Sequence, residues 1–387
     1  MGFERPTPED IFAASEHEAA ASPSGGDSNM NMDKNKNERP NNAPASNEFD
    51  FGELNAELEA VSGPKSSETE IRAKAREQLE AAAKERLESV QKMHQAQETV
   101  IKAVLEYDRT PDVRLVGDLW ESKLVELNKI EAPDETVPGE ERRERHANKV
   151  YRAKLDLKGR QFNGIFKPVL GEAHFYDENV RPERRHRKDW LASQMDAVFD
   201  VKRSPVAVIR ELPVYDEVTR QDVMDAGSLS EFLEGEVTGT QSNWRTWADQ
   251  DDIGRIADFH YIIGETDGND GQYVVQTGNR IKNFDHGEAF LDNPNIKLKS
   301  AAMEEAEQRG LAANGDVLRA ANEFLKSDKL QAAAAQAFEA AFGRESGRQR
   351  YGLLKSRVER YVENNGVPYK DLRRNGAWQI IDRNKKE

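Results

Sequence analysis

The chain has 387 residues, of which 37% are hydrophobic and 33% charged, with a formal net charge of −15 and no cysteine. The lack of cysteine excludes disulfides and thiolate chemistry, and the acidic balance argues against a general nucleic-acid binder, whose affinity rests on cationic contacts to phosphates. The length allows two or three domains, and so low a hydrophobic content predicts that part of the chain lies outside any packed core.

Residues 1 to 65 are rich in Asn, Ser, Pro, Ala and Glu, as in the run Asn29 to Asn35. Such a segment buries too little apolar surface to offset its ordering entropy, so it reads as a disordered arm, with a short helix allowed at Pro8 to Phe12. The opening Met1-Gly2-Phe3-Glu4-Arg5-Pro6 lacks the charged-then-apolar pattern of a secretory signal. No apolar run approaches the length of a membrane span, so a cytoplasmic protein is expected.

From Ser66 to 147 the text is helical. Ser67-Glu68-Thr69-Glu70 offers an N-cap with acids in the first turn. Sparse apolar positions, Ile71, Leu79, Leu87, Val90, Val100, Val104 and Leu105, then trace one narrow helical stripe as far as Asp108. Arg109-Thr110-Pro111 ends it, and a second helix is expected near Val116 to Ile130. The pair reads as a helical hairpin, as a coiled-coil contact for a protein partner, or as a surface helix packing on its own domain. Residues 131 to 147 are charged and suit a linker.

Residues 148 to 387 form the third region. Val150 to Leu155 alternates, Leu157-Lys158-Gly159-Arg160 turns, and Gln161 to Val169 returns, which predicts a hairpin. Helices are expected at 183–199, 228–234 and 250–264, and a strand at 205–211. Further helices are expected at 299–308, 314–326, 328–343 and 346–364. The whole reads as a mixed α+β fold of two lobes, the larger mostly helical.

The chemistry concentrates in Gly264 to Val275 and in Asn283-Phe284-Asp285-His286-Gly287. Asp267 is followed five residues later by an amide, Gln272. A strand-like step and the turn Gln276-Thr277-Gly278-Asn279 then lead to a second acid, Asp285. Phosphoryl transfer to a hydroxyl needs such a set: one carboxylate for the attacking oxygen, an amide and a second carboxylate for magnesium. Taken alone, Thr266 to Gln272 is also an ordinary polar turn. Lys167, between Phe166 and Pro168 on an apolar strand, needs an anionic partner if it is buried, and is otherwise a solvent-facing lysine. No P-loop motif occurs, and the histidines are not at zinc-ligand spacing. His286 therefore reads as structural, and Trp244 and Trp247 as packing residues. The run Arg181 to Lys188 is a local basic patch.

These segments resemble the phosphatidylinositol 3-/4-kinase-like superfamily, which includes atypical bacterial kinases of the HipA type. Gly164-Ile165-Phe166-Lys167-Pro168, with Gly171-Glu172 after it, is similar to the family's ATP-lysine strand. Lys188 to Asp196 resembles its Arg-Glu-x-Ala-Ala-x-x-x-Asp helix, Ser204 to Val208 its Val-Pro-x-Thr-Val, and Gly227-Ser228-Leu229 its Gly-Ser-Leu segment near the hinge. The likeness covers about residues 150 to 290. It implies a kinase-like fold with ATP and magnesium as cofactors. Lys167, with Gly164 on its strand, would bind the nucleotide, and Asp189 would pair with the lysine. Asp267 would position the acceptor, and Asp285 with Gln272 would hold the metal. The family's Arg-His after the catalytic Asp is here Gly268-Asn269, and its Asn is here Gln272. The implied reaction is phosphorylation of a protein or small polar hydroxyl acceptor, since no basic amphipathic helix or apolar loop suited to a bilayer is present. The altered positions leave a second reading open, a pseudokinase that binds nucleotide or serves as a scaffold, and a third, nucleotidyl transfer onto a protein.

Overall fold

The structure, a computed structural model, describes residues 68–109, 111–130, 149–169, 185–216, 220–238, 244–293, 297–369 and 372. The expected arm at 1–65 and linker at 131–147 lie outside them, as do Gly171 and Glu172. Backbone contacts divide the chain into Met1–Leu87 and Glu88–Glu387, and the core and candidate site belong to the second unit.

Helix α1 (Glu68–Leu105) carries Val90, Met93, Ala96, Val100, Ala103 and Val104 at helical spacing, and all six join the hydrophobic core. The reading of this segment as a helix packed on its own domain therefore holds for its second half. Gln97 is the polar exception on that stripe. Its Oε1 accepts from the buried Trp190 indole N–H at 3.1 Å, and its Nε2 donates to the Ala207 carbonyl at 3.1 Å. Helix α2 (Val113–Glu121) follows, with the Asp112 side chain accepting from the Leu115 N–H as a cap.

The expected continuation of that helix to Ile130 is replaced by strand β1 (Lys123–Lys129). Ser122 turns extended, and Lys123 to Lys129 pair antiparallel with β2 (Tyr151–Leu157). Sheet pairing overrides a weak helical preference here. The predicted hairpin of β2 with β3 (Arg160–Pro168) is present. It turns through Lys158 and Gly159, both at positive φ as the tight hairpin turn requires. Helix α3 (Arg185–Val198) then crosses to β4 (Ala207–Asp216), which pairs along its whole length with β5 (Gln221–Glu231). The five strands form one antiparallel sheet in the order β1-β2-β3-β5-β4.

Strand β5 corrects the helix expected at 228–234. Gly227 and Ser228 lie in the middle of the sheet, paired with β3 on one side and β4 on the other. A Cβ at Gly227 would stand 2.4 Å from the Lys167 carbonyl oxygen, so the glycine is there for close strand approach.

A second sheet contains β6 (Glu236–Val237), β7 (Tyr273–Gln276) and β8 (Arg280–Asn283) in that order. Between β6 and β7 lie the short α4 (Trp244–Trp247) and α5 (Gln250–Ile263). Helix α5 ends at Gly264 in the left-handed conformation (φ 72°). Arg357 donates to the last α5 carbonyls, Ile262 at 2.8 Å and Ile263 at 3.2 Å. The four helices expected after residue 298 are all present: α6 (Ala301–Gln308), α7 (Gly315–Lys326), α8 (Asp328–Phe342) and α9 (Arg344–Glu363).

Candidate functional site

Lys167 projects from β3 into contact with two carboxylates. Its Nζ lies 2.8 Å from Asp189 Oδ2 on α3 and 2.9 Å from Asp285 Oδ1, just past β8. Burial disfavours the ammonium, but the two carboxylates outweigh it and raise the Lys167 pKa above its ordinary value. The facing ammonium in turn holds the Asp285 carboxyl below its ordinary range. Asp189 spends its second oxygen on the His286 backbone N–H, at 2.8 Å. It thus fixes both the lysine and the chain that carries Asp285. That chain needs fixing, because Asp285 sits at φ 66°, a region sparsely populated outside glycine. The neighbouring Phe284 N–H donates to the Gln272 carbonyl at 3.0 Å, tying the same segment to the preceding loop.

Gly164, three residues before Lys167, lies where β3 meets both neighbours. A Cβ there would approach Leu229 Cδ1 to 2.9 Å, so a glycine serves sheet packing at this point.

Asp267 belongs to the loop between α5 and β7. The loop is organised by Glu265, which composition and spacing had not marked. This buried carboxylate accepts from the Thr266 and Asp267 N–H groups through Oε1, at 2.9 and 3.0 Å. Its Oε2 lies 3.3 Å from His286 Nδ1. Burial penalises the Glu265 charge, yet these partners and the nearby histidines bring its pKa below the ordinary value. His286 and His260, 26 residues apart in sequence, are brought together by the fold. Asn283 Nδ2 lies 2.7 Å from His260 Nε2 and 3.3 Å from His286 Nε2. His260 Nδ1 in turn lies 2.7 Å from Ser300 Oγ.

With the Asn283 amide as placed, these distances fit one continuous proton arrangement. An ionised Glu265 requires the proton of His286 on Nδ1, which leaves Nε2 to accept from Asn283. The second Asn283 amide hydrogen goes to His260 Nε2, and His260 Nδ1–H donates to Ser300. Burial, which dominates, lowers the His260 pKa from 6.5 to about 3 and keeps that ring neutral. His260, Glu265 and His286 also place potential ligand atoms within 4.8 Å of one another. The Asn283 amide between the two rings accounts for the cluster as a hydrogen-bond chain.

Three of the six residues singled out from the sequence, Lys167, Asp189 and Asp285, are in direct contact. Asp267 is joined to them through Glu265 and His286. Its Oδ1 lies 3.6 Å from Lys299 Nζ. Gln272 has its amide oxygen turned into the loop, where it accepts from the Asn269 N–H at 3.2 Å. Trp244, expected as a packing residue, is fully buried and donates from Nε1 to Asp270 at 2.9 Å. Arg245 grips the same Asp270 with two bonds of 2.8 Å. A cleft lined by Gln97, Arg109, Asp196, Lys202, Glu231 and Lys282 includes none of the site carboxylates. No protein-family model matches the chain, and no curated protein matches it.

Proposed function

We propose that the protein is an ATP- and magnesium-dependent phosphotransferase, similar to the phosphatidylinositol 3-/4-kinase-like superfamily, acting on a protein or small polar hydroxyl acceptor. The observation that carries the reading is the lysine shared between two carboxylates, one on the following helix and one just past β8. Kinases need that pairing to hold nucleotide phosphates beside a metal-binding acid. The order of the parts agrees with it. A lysine strand, a helix, two paired strands, a loop bearing an acid, a two-stranded turn and a second acid follow one another along the chain. On this reading the five-stranded sheet with α3 is the smaller lobe and the helices from α5 onward the larger.

Each residue then has a task. Lys167 binds the α- and β-phosphates, and Asp189 orients it. Asp267 accepts the proton of the attacking hydroxyl. Asp285, whose carboxylate is 44% exposed, suits a hard cation. A bound magnesium ion would neutralise phosphate charge there. Gln272 can contribute only if its oxygen is shared with the Asn269 N–H. That engaged amide is the observation favouring the second reading, a pseudokinase that binds nucleotide as a scaffold.

Thermal unfolding with ATP, with and without magnesium, tests the proposal. A ligand at a hundredfold excess over its dissociation constant should stabilise the protein by about 2.7 kcal/mol. The shift should require magnesium and should be lost in Lys167→Ala and Asp285→Ala. No shift in the unsubstituted protein would remove the nucleotide site. Asp267→Ala should keep the shift and lose transfer; an equal loss of both would assign Asp267 a folding role instead.

A further inference from the structure

The loop after Asp267 carries Gly268-Asn269, so it supplies neither a cation nor an imidazole of its own. Both are present in space. A Cβ at Gly268 would stand 3.0 Å from His260 Nδ1, 3.1 Å from His260 Cε1 and 3.2 Å from the Lys299 carbonyl. The His260 ring and the Lys299 backbone thus occupy the volume that a side chain at 268 would need. Residue 299 is clamped to the loop on both sides. Its N–H donates to the Glu265 carbonyl at 3.0 Å, and its carbonyl accepts from the Gly268 N–H at 3.0 Å. The Ala301 N–H then donates to the Gly268 carbonyl at 2.7 Å. With its backbone held so, the half-exposed Lys299 side chain extends beside Asp267, 3.6 Å from Nζ to Oδ1.

Resting on the phosphotransferase reading, we propose that Lys299 is a catalytic residue, the cation that meets the transferring phosphoryl group beside Asp267. With it, His260 is the positioning residue that supports the loop from beneath. In the step, a bond forms between the acceptor oxygen and the γ-phosphorus, and the acceptor proton passes to Asp267. The bond from the γ-phosphorus to the β,γ-bridging oxygen breaks, and its electron pair leaves on ADP. The phosphoryl oxygens carry the charge throughout, and a cation held beside Asp267, where the acceptor oxygen meets them, stabilises the transition state. Lys299 does this from a segment 32 residues beyond Asp267. Gly268 is glycine because the imidazole and the residue-299 backbone fill its side-chain space.

The test uses the full chain with magnesium and ATP, water serving as acceptor. Binding is followed by calorimetry and turnover by ADP release. Lys299→Ala, at an exposed position that leaves the fold intact, should lower turnover about 100-fold, the scale for losing one transition-state contact. Its affinity for magnesium-ATP should stay within about threefold, and Lys299→Arg should recover most of the loss. Gly268→Ala should lower turnover without weakening binding, because the added methyl displaces the loop. Unchanged turnover in Lys299→Ala, or equal losses of turnover and affinity, overturns the assignment while leaving the kinase reading in place. Failure of the unsubstituted protein to bind magnesium-ATP overturns both.

Discussion

At the scale of single residues, the site is held by groups that share partners. Asp189 serves Lys167 with one oxygen and the His286 backbone with the other, while Glu265 serves two loop amides and the His286 ring. A side chain with two fixed partners cannot rotate toward one without losing the other, so each links segments distant in sequence. The chain from Glu265 through His286, Asn283 and His260 to Ser300 makes a specific forecast. NMR of the histidine side-chain nitrogens should find His260 neutral and both His260 and His286 protonated on Nδ1. The opposite tautomer in either ring would reverse the assigned direction of the chain. Asn283→Leu, similar in volume but unable to donate, should release both rings to a mixture of tautomers. Lys167, Asp189 and Asp285 were legible in sequence because each sits in a local motif. Glu265 and His260 were not, because their roles depend on residues from 283 to 300 that only the folded chain brings near.

At the scale of elements, the turn from α3 into β4 is built around Asp196. Its carboxylate accepts from three successive backbone N–H groups, Lys202 at 2.8 Å, Arg203 at 3.0 Å and Ser204 at 2.7 Å. Those bonds hold Asp200 and Lys202 at positive φ and place the Arg203 carbonyl to accept from the Asn283 N–H at 2.9 Å. The Ser204 hydroxyl meanwhile lies 3.2 Å from His286 Nε2. Asp196→Ala strips three backbone donors of their acceptor, the Ser204 N–H buried and the other two part-buried, and should cost about 1–3 kcal/mol in urea unfolding. Asp196→Asn, which keeps one acceptor oxygen, should fall between that variant and the unsubstituted protein. A neutral Asp196→Ala would show that the turn does not depend on these bonds. The elements read correctly from sequence had strong local signals: the β2–β3 turn, the helix expected at 250–264, and the Ala-rich α8 and its neighbours. Strands β1 and β5 were missed for opposite reasons. Lys123 to Lys129 carries too few buried residues to show alternation, and Asp225 to Leu229 is buried without interruption, so period-2 patterning is absent from both.

At the scale of the whole molecule, two buried groups set opposing pH dependences. Burial, the main cause, raises Asp258 from 3.8 to about 7, against the Asn314 N–H that favours its charge. Between those values the folded state holds a proton that the unfolded state has released, so stability falls as pH rises. His260 does the reverse. Between about 3 and 6.5 the unfolded state binds a proton that the folded state refuses, so stability rises with pH. From 3.8 to 6.5 the two slopes act together and largely cancel. Asp258→Asn should therefore unmask the His260 slope, up to about 1.4 kcal/mol per pH unit, in denaturation measured across that range. A variant whose stability stays flat there would show that His260 does not titrate as its burial requires. The shared lysine has a consequence of its own for ligand binding. Lys167 and Asp285 each occupy the other's natural counter-ion site, so an incoming anion must draw the lysine away and an incoming cation must draw the carboxylate away. Either event frees the group the other ligand needs. Anion and cation should thus lower each other's dissociation constants by the same factor, as thermodynamic linkage demands, and on the proposed phosphotransferase reading the ion triplet would act as an AND gate for a metal–phosphate pair.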